Sequence, residues 1–105
     1  MQNNRLEKLQ EMLAESPQDI FLNYALAIEY KGLSQFDNAL KQLNAVFLLD
    51  ENHIPNLYQL GVYWMEKSEN EKALLYLEKG LQIAKHKKEL KTANEFQALI
   101  DEILY

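Results

Sequence analysis

The chain contains no cysteine, three glycines and two prolines among its 105 residues. Without cysteine there is no disulfide framework, and no thiolate can serve as a nucleophile or metal ligand. So little glycine and proline leaves little material for turns, which disfavours a many-stranded β fold and favours long helices. Basic residues are also scarce: 11 Lys and Arg stand against 16 Asp and Glu, a formal net charge of -5. Neutralising phosphates takes a clustered basic face, so a nucleic-acid surface is not expected. The one basic cluster is Lys85-His86-Lys87-Lys88. No stretch approaches the ~18 apolar residues of a membrane span. The segment MQNNRLEKLQEML has charges where a secretion signal would need an apolar run. The expected location is therefore cytoplasmic, with no membrane partner.

What the chain does have is a composition 48% hydrophobic and 26% charged, enough for one domain over residues 1–105 to bury a core. It also repeats itself. Laying residues 20–53 over residues 54–87 gives seven identities in 34 pairs: Ile20 on Ile54, Tyr24 on Tyr58, Leu26 on Leu60, Ser34 on Ser68, Ala39 on Ala73, Leu40 on Leu74 and Leu43 on Leu77. Average residue usage would give roughly two. Leu6 and Leu9 carry the same columns backwards. The organisation read from this register is a half repeat over 5–19, full repeats over 20–53 and 54–87, and a C-terminal capping helix over 88–104.

Within each repeat the apolar spacing is helical. Phe36, Ala39, Leu40, Leu43, Val46 and Phe47 follow steps of three and four, which places them on one stripe. Ser34 with Asp37, and Ser68 with Glu71, have the spacing of a capping box at a helix start. Ser16-Pro17-Gln18-Asp19 reads the same way with Pro17 at the first helical position, and Asn52 is the residue placed to cap a further start. The spacing predicts an all-α fold of about six antiparallel helices, near 4–16, 17–32, 35–49, 53–67, 69–84 and 88–104.

These residues resemble the tetratricopeptide repeat, whose 34-residue helix-turn-helix unit carries the pattern W-x2-L-G-x2-Y, then A-x3-F, then P. Leu57, Leu60, Gly61 and Trp64, followed by Ala73 and Leu77, match one unit; Asn23, Leu26, Ala27 and Tyr30, followed by Ala39 and Leu43, match the other. Asn23 departs from the pattern, and Glu51 and Lys85 stand where the proline would be. The resemblance covers residues 5–87 and implies a solenoid of helical hairpins. Ala27, Gly61, Ala39 and Ala73 fall where two helices of a hairpin would approach closely, and Gly80 where the last helix would come in.

No phosphate-binding glycine loop or nucleophile elbow is present. His53 and His86 are read as ordinary exposed residues, and the lysine run as cations favoured near a helix end. No enzyme activity, cofactor or metal is expected. A second apolar face remains on the first helix of each repeat: Phe21, Tyr24 and Ile28, with Lys31 as its cation, and one repeat later Tyr58, Val62 and Met65. In proteins similar to the tetratricopeptide family such a face lines a concave groove. The resemblance therefore implies an interaction module that binds a peptide or partner helix, with a structural self-association role as the alternative. The final apolar residues break the 34-residue frame, since continuing it puts Asn94 and Glu95 under Leu60 and Gly61. The last helix should rotate or slip, leaving Leu99 and Ile103 at an exposed edge that would support a weak homodimer.

Overall fold

Six helices, and no strand, make up the secondary structure of the described residues, which run from 4 to 105 in a computed structural model. They are α1 (Asn4–Glu15), α2 (Ile20–Gly32), α3 (Phe36–Leu49), α4 (Ile54–Glu66), α5 (Asn70–His86) and α6 (Leu90–Leu104). The helices gather into two compact units, one ending at Glu51 and the other running from Asn52 to Tyr105.

In the first unit α2 packs on both α1 and α3. Leu9, Leu22 and Leu26 form a buried cluster, with Leu6, Leu13, Ala25 and Tyr30 packed against it, and Ala39, Leu43 and Val46 are buried from α3. Two surface contacts also clip α1 to α2: Arg5 Nε lies 2.9 Å from Glu29 Oε1, and Gln10 Nε2 donates to the Tyr30 hydroxyl at 3.0 Å. Exposed pairs of this kind contribute little beside the apolar burial.

The second unit packs α5 between α4 and α6. Its fully buried side chains include Phe96, Leu57, Leu60 and Leu77. Two glycines set how closely the helices meet. A Cβ on Gly61 would run into the Leu77 side chain, and a Cβ on Gly80 into the Phe96 ring. Both obstructing side chains are themselves enclosed, so the absence of a side chain at these glycines is what allows α4 to meet α5 and α5 to meet α6.

Several helix starts differ from those read in the sequence. α2 begins at Ile20 and not at Pro17, because Asp19 is its cap: the carboxylate accepts from the Leu22 N-H at 2.9 Å. Asn23, the departure from the repeat pattern, is 3% exposed and donates from Nδ2 to the carbonyls of Pro17 (3.1 Å) and Asp19 (2.8 Å). It secures the turn from within, a task no apolar residue could perform. At α4 the cap is His53 and not Asn52, with Nδ1 accepting from the Asn56 N-H at 3.2 Å. His53 is thus half-buried and structural, not an ordinary surface histidine.

Ser34 and Ser68 do not form capping boxes. Each lies just beyond the end of the preceding helix with φ near +60°, in the left-handed region. There the Ser34 N-H reaches Lys31 O at 2.9 Å and the Gln35 N-H reaches Tyr30 O at 2.9 Å; Ser68 and Glu69 repeat the pattern on Met65 O and Trp64 O. These are Schellman closures, which satisfy the last carbonyls of a helix. Gln35 and Glu69 occupy the following N-cap positions without a side-chain cap bond.

A third closure sits at Lys88, φ 60°, where the Lys88 N-H reaches Lys85 O and the Glu89 N-H reaches Ala84 O. α5 therefore runs on to His86, past the expected end, and α6 starts at Leu90. This accounts for the broken frame. α2 and α4 start 34 residues apart, but α4 and α6 start 36 apart. The slip of two residues buries Ala93, Phe96 and Ile100 and leaves Asn94 and Glu95 exposed. α6 also joins α5 through the same three-residue turn that joins α2 to α3 and α4 to α5. Ala39, Ala73 and Ala93 each stand five residues after the left-handed residue, and all three are buried.

Candidate functional site

Each of the two faces singled out in the sequence belongs to a different unit. In the first unit, Phe21, Tyr24, Ile28 and Lys31 follow steps of three and four along α2 and share one stripe. The helix buries Leu22, Asn23, Leu26 and Ala27 on its other side. Phe21 is 75% exposed and Ile28 37%, Tyr24 is half-buried and Lys31 exposed. Phe21 thus stands largely in water, while Tyr24 is partly covered within its own unit. An exposed phenylalanine followed at helical spacing by an exposed isoleucine is the largest departure of this helix from a polar outer face.

The counterpart in the second unit differs. Tyr58, Val62 and Met65 also share a stripe, on α4, but all three are half-buried. Tyr58 meets the enclosed Phe96 ring edge-on, with centroids 5.6 Å apart and planes at 72°. The α4 stripe is thus partly occupied by α6, and Tyr58 has a structural duty that the in-register match to Tyr24 did not disclose.

An aromatic pair lies nearby on α4 itself. Tyr63 and Trp64 meet edge-on at 5.0 Å, with Lys67 Nζ 5.6 Å from the Tyr63 centroid and Lys72 Nζ 4.3 Å from that of Trp64. Cations over aromatic faces stabilise locally and cover apolar surface. The sequence signal for the first contact is the four-residue step from Tyr63 to Lys67, whereas Lys72 reaches Trp64 from α5 and no spacing along one helix announces it.

Among the described residues no group of three or more His, Cys, Asp or Glu is placed to hold a metal ion. No described helix is long and apolar enough to cross a membrane. On α6, Leu99 and Ile103 are half-buried, and the large exposed apolar groups of that segment are Leu90 at 73%, Leu104 at 52% and Tyr105 at 98%. Leu99 and Ile103 therefore do not form the exposed edge expected of them, and the exposed apolar groups stand at the two ends of the helix instead.

No protein-family model matches the chain, and no curated protein matches it. Among solved structures it is similar to the solution structure of protein BPP2914 from Bordetella parapertussis, a structural-genomics target. The two are 26% identical with a TM-score of 0.80, over 99% of this chain and 90% of that one.

Proposed function

We propose that this chain is a helical-repeat module, of the tetratricopeptide type it resembles, that binds a segment of another protein. The observation that carries the reading is the α2 stripe, where a phenylalanine 75% exposed is followed at helical spacing by a tyrosine and an isoleucine. Tyr24 brings contact area and a hydroxyl together, and Phe21 offers a large side chain whose burial would come from association alone. The stripe has Lys31 as its single cation, a weak clamp for carboxylates, so its ligand is held by apolar side chains and not by a terminal acid group. The 34-residue frame and the small residues between paired helices support the repeat assignment.

The test is direct. A partner identified by affinity capture on the wild-type chain should lose ~1–3 kcal/mol of affinity when Phe21 becomes Ala, the range for interface anchors. Phe21 is so exposed that the substitution should leave melting unchanged. Equal affinity for the variant would remove α2 from the interface.

A second reading, self-association through α6, is favoured by the exposure of Leu90, Leu104 and Tyr105. Light scattering over a hundredfold range of concentration separates the two. A mass that rises and is restored to monomer by Leu104→Lys would support self-association, and a constant monomer mass would dismiss it.

A further inference from the structure

The turn that ends α5 is the one strongly basic place on an acidic chain. Residues 85–91 hold four lysines against Glu89, a formal +3, and leave -8 on the remainder of a protein whose total is -5. The needs of the fold explain only part of this run. Lys85 and His86 lie in the last turn of α5, where cations favour the helix dipole. Lys88 and Lys91 have no such local reason. Lys88 occupies the left-handed conformation, which costs a residue with a Cβ ~1–2 kcal/mol and glycine nothing. Lys91 lies in the first turn of α6, beside the positive end of that helix.

A shallow depression, open to solvent, lies beside the run. It is lined by Asn52, Gln82, Ile83, His86 and Lys87, all of the second unit. Every polar side chain on its wall carries an N-H donor, and none is acidic, in a chain with 16 Asp and Glu. Ile83 provides an apolar wall, and Leu90, 73% exposed, follows the turn directly. Donors, positive charge and an apolar contact in one place match a carboxylate-bearing segment with an aliphatic side chain.

The geometry points to the α5–α6 turn as a docking site for an acidic, leucine-containing segment of a partner protein, separate from the α2 stripe. A short acidic segment satisfies the local +3 without bringing extended charge against the rest of the chain. A nucleic-acid backbone carries charge over a length that the four lysines of the turn cannot neutralise, on a chain whose remaining residues sum to -8.

The experiment is fluorescence anisotropy on the whole chain with a short labelled Glu/Leu peptide and its Lys/Leu counterpart. The Glu/Leu peptide should bind, weaken as salt is raised, and lose at least about fivefold in affinity to the Lys87→Gln, Lys88→Gly double variant. Lys88→Gly relieves a left-handed lysine and so should raise the melting temperature, which separates lost binding from lost folding. Lys87→Gln alone, with no backbone change, should show part of the same loss. Lys31→Gln and Phe21→Ala on α2 should leave the peptide bound, so failure here and failure of the α2 reading are distinct results. Unchanged affinity in the double variant, or equal binding of the Lys/Leu peptide, would overturn the proposal. So would a dimer that the double variant abolishes without any peptide binding, since the patch would then serve a second copy of the chain.

Discussion

Ser68 and Gly61 sit seven residues apart and hold opposite lessons about side chains. Ser68 has a Cβ where the backbone would do better without one, at φ 59°. Ser68→Gly should therefore stabilise the protein by about 0.5–1 kcal/mol, the left-handed cost less the extra freedom glycine gives the unfolded chain. Urea unfolding would read this as a higher midpoint at constant slope. Gly61 lacks a Cβ where the enclosed Leu77 leaves no room for one. Gly61→Ala should cost about 1–3 kcal/mol in the same measurement, the range for overpacking a filled core. Gly32 is the control, since a Cβ there meets nothing and φ is not left-handed. Gly32→Ala should gain up to about 1 kcal/mol from helix propensity alone. Were Gly61→Ala as harmless as Gly32→Ala, the close approach of α4 and α5 would not depend on the glycine.

At the scale of elements, α6 and the turn before it set the second unit apart. The number of helices and most of their buried stripes were legible because apolar side chains at steps of three and four leave little choice of face. Ala27, Ala39 and Ala73 could be placed at helix contacts for the same reason. The turns were less legible. Ser34 and Ser68 precede an acid by three residues and so carry the signature of an N-cap, yet the backbone uses them one position earlier, to close the previous helix. A serine is compatible with both roles, and the choice depends on where Tyr30 and Trp64 leave their carbonyls. Lys88 has no stop signal at all, so the two extra residues of α5, and with them the register of α6, could not be foreseen beyond the need for a slip.

Tyr58 belongs to the same story. Its repeat partner Tyr24 suggested a ligand contact, but α6 brings Phe96 against its ring. Tyr58→Ala should lower stability by at least the ~0.5–1.5 kcal/mol of an aromatic pair, whereas Tyr58→Phe, which keeps the ring, should melt close to wild type. Equal losses for the two variants would mean that the hydroxyl, and not the edge-on contact, is what matters. Asp19→Ala should cost ~1 kcal/mol through the lost cap of α2, and Asn23→Ala a similar amount, because it removes both side-chain bonds that tie the Pro17 and Asp19 carbonyls to the helix.

For the molecule as a whole, the surface that the fold does not need is where a partner would bind. Leu22 and Leu26 are buried to hold α2 in place, and they would be selected in any helical protein of this architecture. Phe21 and Ile28 are not, and their exposure is the reason for reading α2 as an interface. The measurement that tests this most directly is the two-dimensional NMR spectrum of the isotope-labelled chain while its captured partner segment is titrated in. The expected result is that the amide signals of Phe21, Tyr24, Ile28 and Lys31 move first and furthest, and that Phe21→Ala abolishes the movement while leaving the free spectrum folded. Movement confined to other helices, with the α2 signals still at saturation, would contradict the account.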